Sequence, residues 1–174
     1  LNPKPADKEK GWTEDPPESY PFDRFVDLGD LTIIAKGLFE YSFMKDEMAI
    51  TLLRCVGYLS RDDLDNRRGH AGPGFETPDA QCQGKHRFEY SLLPHSSLSS
   101  HSEIYHQALN HNLPFMTFKG KLKGRVEILP DSLIISCFKV SEDENGIILR
   151  LHNVENKKIR GKVKLPFSVE KSWI

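Results

Sequence analysis

Arginines and aspartates crowd one stretch of this chain, Ser60 to Gly69, "SRDDLDNRRG", with His70 directly after it. These residue types hydrogen-bond vicinal diols and carboxylates in fixed geometry, the guanidinium as a planar fork of donors and the carboxylate as a pair of acceptors. Arg61, Asp62, Asp63, Arg68 and His70 are therefore the candidate binding residues of a polar lip facing a sugar-sized ligand, with Arg67 beside them. The competing reading is a surface loop that pairs its own charges and touches nothing. The whole segment, Tyr58 to Gln83, "YLSRDDLDNRRGHAGPGFETPDAQCQ", lies between strand-like runs. Loops of that length in a compact domain are usually functional or disordered. Its glycines and prolines shape the chain.

Other chemistries fail on spacing. His101, His106 and His111 recur every five residues. On a helix that step leaves neighbours about 140° apart, so they share no face, whereas a helical zinc pair wants a spacing of three or four. Cys82 and His86 sit four apart without a second cysteine pair. No Gly-x-Ser-x-Gly elbow surrounds a serine, and "GHAGPG" lacks the Lys-Ser/Thr of a phosphate loop. We therefore assign no catalytic residue and no metal ligand.

The elements that must position the polar stretch read as β-strands. "LTIIAKG" from Leu31 and "AITLLRCVGYL" from Ala49 are apolar runs, the second expected to be a buried strand. "HRFEYSLL" alternates, which puts Phe88, Tyr90 and Leu92 on the core face. "SLIISCFKV" and "GIILRLHNV" are expected to form a hairpin across "SEDENG", whose Asn-Gly is a turn signal. "IRGKVKL" alternates again. One segment, "SSHSEIYHQALNHN", has Ile104, Tyr105, Ala108 and Leu109 at helical spacing, with Ser99, Ser100 or Ser102 to cap it and Pro114 past its end. The fold class is thus all-β: a β-sandwich, supersandwich-like, with one short helix and a long polar loop.

The 174 residues, 38% hydrophobic and 28% charged, suit one domain or two small ones. A net charge of -1 argues against nucleic acid or an acidic membrane surface as partner. No apolar run approaches a membrane span. Residues 1–21, rich in Lys, Asp, Glu and Pro, read as an extended leader or linker. The odd count of Cys55, Cys82 and Cys137 fits two small buried residues and one loop thiol in a reducing, cytoplasmic compartment. Both chain ends suggest a piece of something longer. Trp12 and Trp173, near those ends, are expected to pack on its other parts.

Five segments in order carry a family pattern: "YPFDRFVDL", "LTIIAKGLFEY", "ITLLRCVGYLSRDDL", "RRGHAGPGFETPDAQCQGKHRFEYSLLPH" and "CFKVSEDENGIILRLHN". They resemble the C-terminal β-domains of glycoside hydrolase family 38, especially bacterial and archaeal α-mannosidases and mannosylglycerate-hydrolase-like members, over about residues 20–155. The resemblance implies a retaining enzyme that cleaves terminal α-mannosides with a divalent cation, usually zinc. It implies that nucleophile and metal lie in an N-terminal barrel, followed by a helical bundle, neither of which is in this sequence. A retaining pair needs two carboxyl groups about 5 Å apart across the bond. Adjacent Asp62 and Asp63 on an extended chain point opposite ways and cannot supply it alone.

On that basis residues 22–130 are expected to form a main sandwich whose loop 58–83 faces the active site, and 131–174 to begin a second, smaller β-unit. Arg61, Asp62 and Arg68 would bond sugar hydroxyls or brace barrel loops, with Glu76, Asp79 and Gln81 as second choices. Sealing a domain interface is the competing role. The expected partners are the barrel and bundle of the same chain and a mannoside. A homo-oligomer and the identity of the mannoside stay open. The alternative function is a stand-alone carbohydrate-binding or interaction module.

Overall fold

A computed structural model describes residues 18–44, 47–65, 67–96, 99–121 and 124–173. Trp12 and most of the leader expected over 1–21 lie outside the described residues. In chain order the strands are β1 (Ser19–Pro21), β2 (Phe25–Asp27), β3 (Leu31–Lys36), β4 (Glu40–Met44), β5 (Glu47–Ile50), β6 (Asp63–Leu64), β7 (Arg67–Arg68), β8 (Glu89–Pro94), β9 (Glu127–Leu129), β10 (Leu133–Val140), β11 (Ile147–Asn153) and β12 (Lys162–Lys164). One α-helix, α1 (His101–Asn112), interrupts them. The all-β class with one helix is therefore as the sequence predicts.

The chain divides into two compact units, Leu1–Val26 with Ile33–Ser91, and Asp27–Thr32 with Leu92–Ile174. In the first, β1, β4 and β5 form a sheet in the order β1–β4–β5. Tyr41 on the central strand is 4% exposed, with the rings of Tyr20, Phe22 and Phe43 centred 5.6, 6.0 and 5.5 Å away. Val26, Ile34, Ala35 and Leu38 are the other buried apolar residues of this unit. A second sheet has the order β2–β3–β8.

The apolar run from Ala49 does not make a long buried strand. Only Ala49 and Ile50 belong to β5, and Leu52, Leu53 and Val56 are exposed. The backbone explains this, because Val56 N–H donates to the Ala80 carbonyl and Leu59 N–H to that of Phe75. The run leaves the sheet to pair with the returning arm of the polar loop. Tyr90 and Leu92 are likewise exposed, and Phe88 is half-buried; Ser91 and Leu93 take the inward phase of β8. Leu92 and Leu93 are both apolar, so alternation alone left the phase one residue uncertain.

In the second unit β10 pairs with β11 as expected, with a bulge between Ile135 and Cys137. The turn is wider than a two-residue Asn-Gly turn. Ser141 N–H donates to the Gly146 carbonyl, the left-handed residue is Glu144, and Asp143 accepts from the Ser141 hydroxyl and the Asn145 amide. Strand β12 pairs with β9, setting Lys164 opposite Glu127. Helix α1 begins at a capping box: Glu103 N–H donates to Ser100 Oγ, and Ser100 N–H to the Glu103 carboxylate. Ile104 and Ala108 are its buried residues, four apart on one face.

The cysteines differ from expectation. All three are free thiols, with Cys55 exposed and Cys82 and Cys137 half-buried, so none is a core residue. Trp173 is exposed, its ring 4.0 Å from Lys171 Nζ.

Candidate functional site

The polar loop has its own architecture. Its two arms run antiparallel. Tyr58 bridges Glu76, Leu59 N–H donates to Phe75 O at 2.8 Å, and Thr77 N–H to Gly57 O at 2.9 Å. The Thr77 hydroxyl adds a bond to the Val56 carbonyl. Above this stem β6 and β7 form a minimal hairpin, with Asp63 opposite Arg68 and Leu64 opposite Arg67. Ser60 Oγ then accepts the Ala71 and Gly72 amides at 3.0 and 3.2 Å, which folds the tip back on the stem. Gly74 permits that fold: a Cβ there would lie 3.1 Å from the His70 ring. A 3-10 turn, Pro78–Gln81, closes the return arm and ends at Cys82 in the left-handed region.

The predicted site residues fall into pairs on this frame. Arg61 grips Asp63 bidentately, Nε to Oδ1 at 2.8 Å and Nη2 to Oδ2 at 2.6 Å. That fork holds the Asp63 carboxyl below its ordinary pKa and the Arg61 guanidinium above its own. Arg68 is directly across the ladder from Asp63, and residues directly opposite share a face. His70 Nε2 stands 3.6 Å from Asp62 Oδ2. Arg67 is turned to structural use, donating to the Gly69 carbonyl at 2.7 Å and the Arg61 carbonyl at 3.5 Å. Asp62 and Arg68 are exposed. Of the second choices, Glu76 is in the stem, and Asp79 and Gln81 are in the 3-10 turn.

The arrangement is a polar face carrying the Arg61–Asp63 ion pair, with Arg68 across the ladder and the Asp62–His70 pair beside it. Such a face can donate and accept hydrogen bonds to a polyhydroxylated ligand. Asp62 and Asp63 are committed to different partners, and among the described residues of the loop no nucleophile–base pair is assembled.

A second constellation was not foreseen. In the second unit Asp27 Oδ1 accepts three donors: Gly29 N–H at 3.0 Å, the Thr32 hydroxyl at 3.0 Å and His95 Nε2 at 3.0 Å. His95 Nδ1 lies 2.9 Å from the Ser96 carbonyl, which can only accept. Both ring nitrogens thus face acceptors, the arrangement that favours imidazolium. The bond to the Ser96 carbonyl, with Asp27, raises the His95 pKa against the cost of its burial. Burial raises Asp27, but the bonds from Gly29, Thr32 and His95 together bring it below the usual value. The His95 side chain is 8% exposed, and Thr32 is fully buried. No substrate reaches that hydroxyl, so the cluster is a structural latch. Its members lie 63 and 68 residues apart in sequence, beyond any local motif.

The predicted helix histidines stay apart. His101 faces Glu155 at 3.5 Å and His106 bonds the Asp131 carbonyl. Among the described residues no three of His, Cys, Asp or Glu come together to hold a metal ion. A shallow depression of about 440 Å³ is lined by Ser100, Ser102, Glu155, Lys157 and Lys158. Glu155 already supplies the negative charge at the start of α1, accepting Ser102 N–H at 3.1 Å. That bond, with His101, lowers the Glu155 pKa. No described helix is long and apolar enough to cross a membrane.

Comparison with known proteins gives one relative along most of the chain and one family match near its end. Over 162 residues, 86% of this chain, it is 30% identical to a protein of Halalkalibacterium halodurans named "Putative mannosylglycerate hydrolase". It spans only 17% of that protein's length. No solved structure gives a significant match. Residues 132–174 match the model of the glycosyl hydrolases family 38 C-terminal beta sandwich domain. Over residues 132–174 the chain is therefore similar to the C-terminal β-sandwich domain of glycosyl hydrolase family 38.

Proposed function

We propose that this chain is a non-catalytic C-terminal β-sandwich portion of a retaining, metal-dependent α-mannosidase. Its loop 58–83 would shape the active-site cleft from outside. The family match over 132–174 carries this reading. The alignment to a protein named "Putative mannosylglycerate hydrolase", over 17% of its length, supports a mannose-containing substrate and a larger parent protein. The nucleophile and the divalent ion, zinc as the leading choice, belong to a barrel domain with a helical bundle behind it. Both are partners of this chain. The start of the match at Ser132 supports a second β-unit from about 131, after a main sandwich over 22–130. Three free thiols support a cytoplasmic location.

Asp62 and Arg68 are the residues we assign to sugar hydroxyls. Arg61, Asp63 and His70 orient them: Arg61 and Asp63 are occupied with each other, and His70 stands beside Asp62. The test is hydrolysis of a chromogenic α-mannoside by the full-length protein, with and without added zinc, and by the isolated segment. The full-length protein is expected to act and the segment to be inactive. Asp62→Ala or Arg68→Ala in full-length protein is expected to lower kcat/KM about ten- to hundredfold, the scale on which lost polar contacts discriminate substrates. Unchanged kinetics in both variants would assign the loop to interface packing. Activity in neither chain would refute the reaction and favour a carbohydrate-binding module.

A further inference from the structure

The base of the polar loop brings Cys55 and Cys82 to one backbone oxygen, a relation that the proposed activity does not use. Cys55 is the last residue before the outgoing arm, and Cys82 the first after the 3-10 turn that ends the returning one. The Ala80 carbonyl oxygen joins them. It accepts Val56 N–H at 3.2 Å, next to Cys55, and the Cys82 thiol at 3.6 Å. The left-handed conformation at Cys82 turns its side chain back toward this oxygen. The His86 ring, 2.7 Å from the Cys82 carbonyl, fixes the backbone on the other side. After desolvation, the neighbouring Cys82 thiol is what raises the Cys55 pKa, and Cys55 is exposed to reagents.

We propose that Cys55 and Cys82 are a reversible dithiol–disulfide pair that ties the two arms of the loop at their base. A disulfide needs its two Cα atoms within about 7 Å and its Cβ atoms facing, and the Ala80 carbonyl, 3.2 Å from Val56 N and 3.6 Å from the Cys82 thiol, gathers both residues at the base of the loop. The oxidant is a low-molecular-weight disulfide. One cysteine thiolate attacks it, forming a mixed disulfide and releasing one small thiolate. The second cysteine thiolate attacks the protein sulfur of the mixed disulfide and expels the other. The two cysteines lose two electrons and two protons, and the small disulfide gains both as two thiols. Desolvation and the neighbouring Cys82 thiol hold the Cys55 pKa up, so the reduced pair rests as thiols until a disulfide arrives.

The experiment uses the full-length protein, reduced, desalted and exposed to oxidised glutathione. Remaining thiols are blocked with N-ethylmaleimide, and the digest is mapped by mass spectrometry without reductant. The expected product is a peptide pair joined through Cys55 and Cys82, two hydrogens lighter than the reduced peptides together. Dithiothreitol should restore both. In Cys82→Ser the second step is blocked, so glutathione should accumulate on Cys55 at least tenfold above wild type. Cys137→Ser should leave the linked pair unchanged. Separate glutathiones on Cys55 and Cys82 of the wild type, a comparable yield of links to Cys137, or no reaction at either residue would each overturn the proposal. The wild-type map decides even if a variant fails to fold, and it does not depend on the enzyme's activity.

Discussion

Replacing Asp27 with alanine should destabilise the chain by about 2–4 kcal/mol. Its Oδ1 accepts from Gly29 N–H, the Thr32 hydroxyl and His95 Nε2, and its side chain is 25% exposed. A hydrogen bond to a charged group contributes about 1.5–3 kcal/mol, and a buried donor left without a partner costs about 1–3. The loss is softened because Thr32 Oγ1 is also 2.9 Å from His95 Nε2. A neutral imidazole can accept the hydroxyl there while Nδ1–H keeps the Ser96 carbonyl. The same compensation predicts a pH signature. His95 has a raised folded pKa, so its contribution is complete below the unfolded value of about 6.5 and is lost as pH rises through the folded one. Asp27 has a lowered one, so its contribution is complete above about 3.9 and is lost as pH falls through the folded value. The latch is therefore strongest between about pH 4 and 6.5. Urea denaturation followed by far-UV circular dichroism at pH 5.5 and 8 measures both effects. Wild type should lose stability between the two, and Asp27→Ala should lose most of that difference. A cost below about 0.5 kcal/mol, or an unaltered pH dependence in Asp27→Ala, would refute the latch.

Ser100→Ala removes the hydroxyl end of the capping box and should cost about 1 kcal/mol, read by thermal melting. Gly161→Ala drives a methyl into Leu133 Cδ1, near the Leu129 carbonyl, and should cost about 1–3 kcal/mol. Leu133→Ala in the same chain should recover part of that loss. Ser60→Ala frees the Ala71 and Gly72 amides, so trypsin should cut at Arg67 or Arg68 several-fold faster while the melting temperature stays within about 2 °C. Asp63→Asn should leave the urea midpoint unchanged, because the Arg61 pair is solvent-exposed.

Features written in consecutive residues were legible. The helix could be read because Ser100, Glu103, Ile104 and Ala108 sit at cap and face spacing. The β10–β11 hairpin could be read because two apolar runs flank a polar turn. Phase and length were harder. Leu92–Leu93 offers an apolar residue to either face, and the run after Ile50 satisfies its backbone in the loop stem instead of a sheet. The polar loop was recognisable by composition, but the commitment of Arg61 to Asp63 is set by side-chain geometry. The Asp27–Thr32–His95 latch joins residues that no local pattern couples, and so does the gathering of Cys55 and Cys82 around the Ala80 carbonyl.

The self-contained stem of the loop has an evolutionary consequence. Its arms are held by their own ladder and by Thr77, and its tip by Ser60, all bonds within the loop and its stem. Residues between Arg61 and His70 can then mutate with little effect on the stability of the scaffold. A randomised library confined to those positions should keep most members folded, making the tip a place where new ligand preferences can be explored at low risk to the rest of the protein.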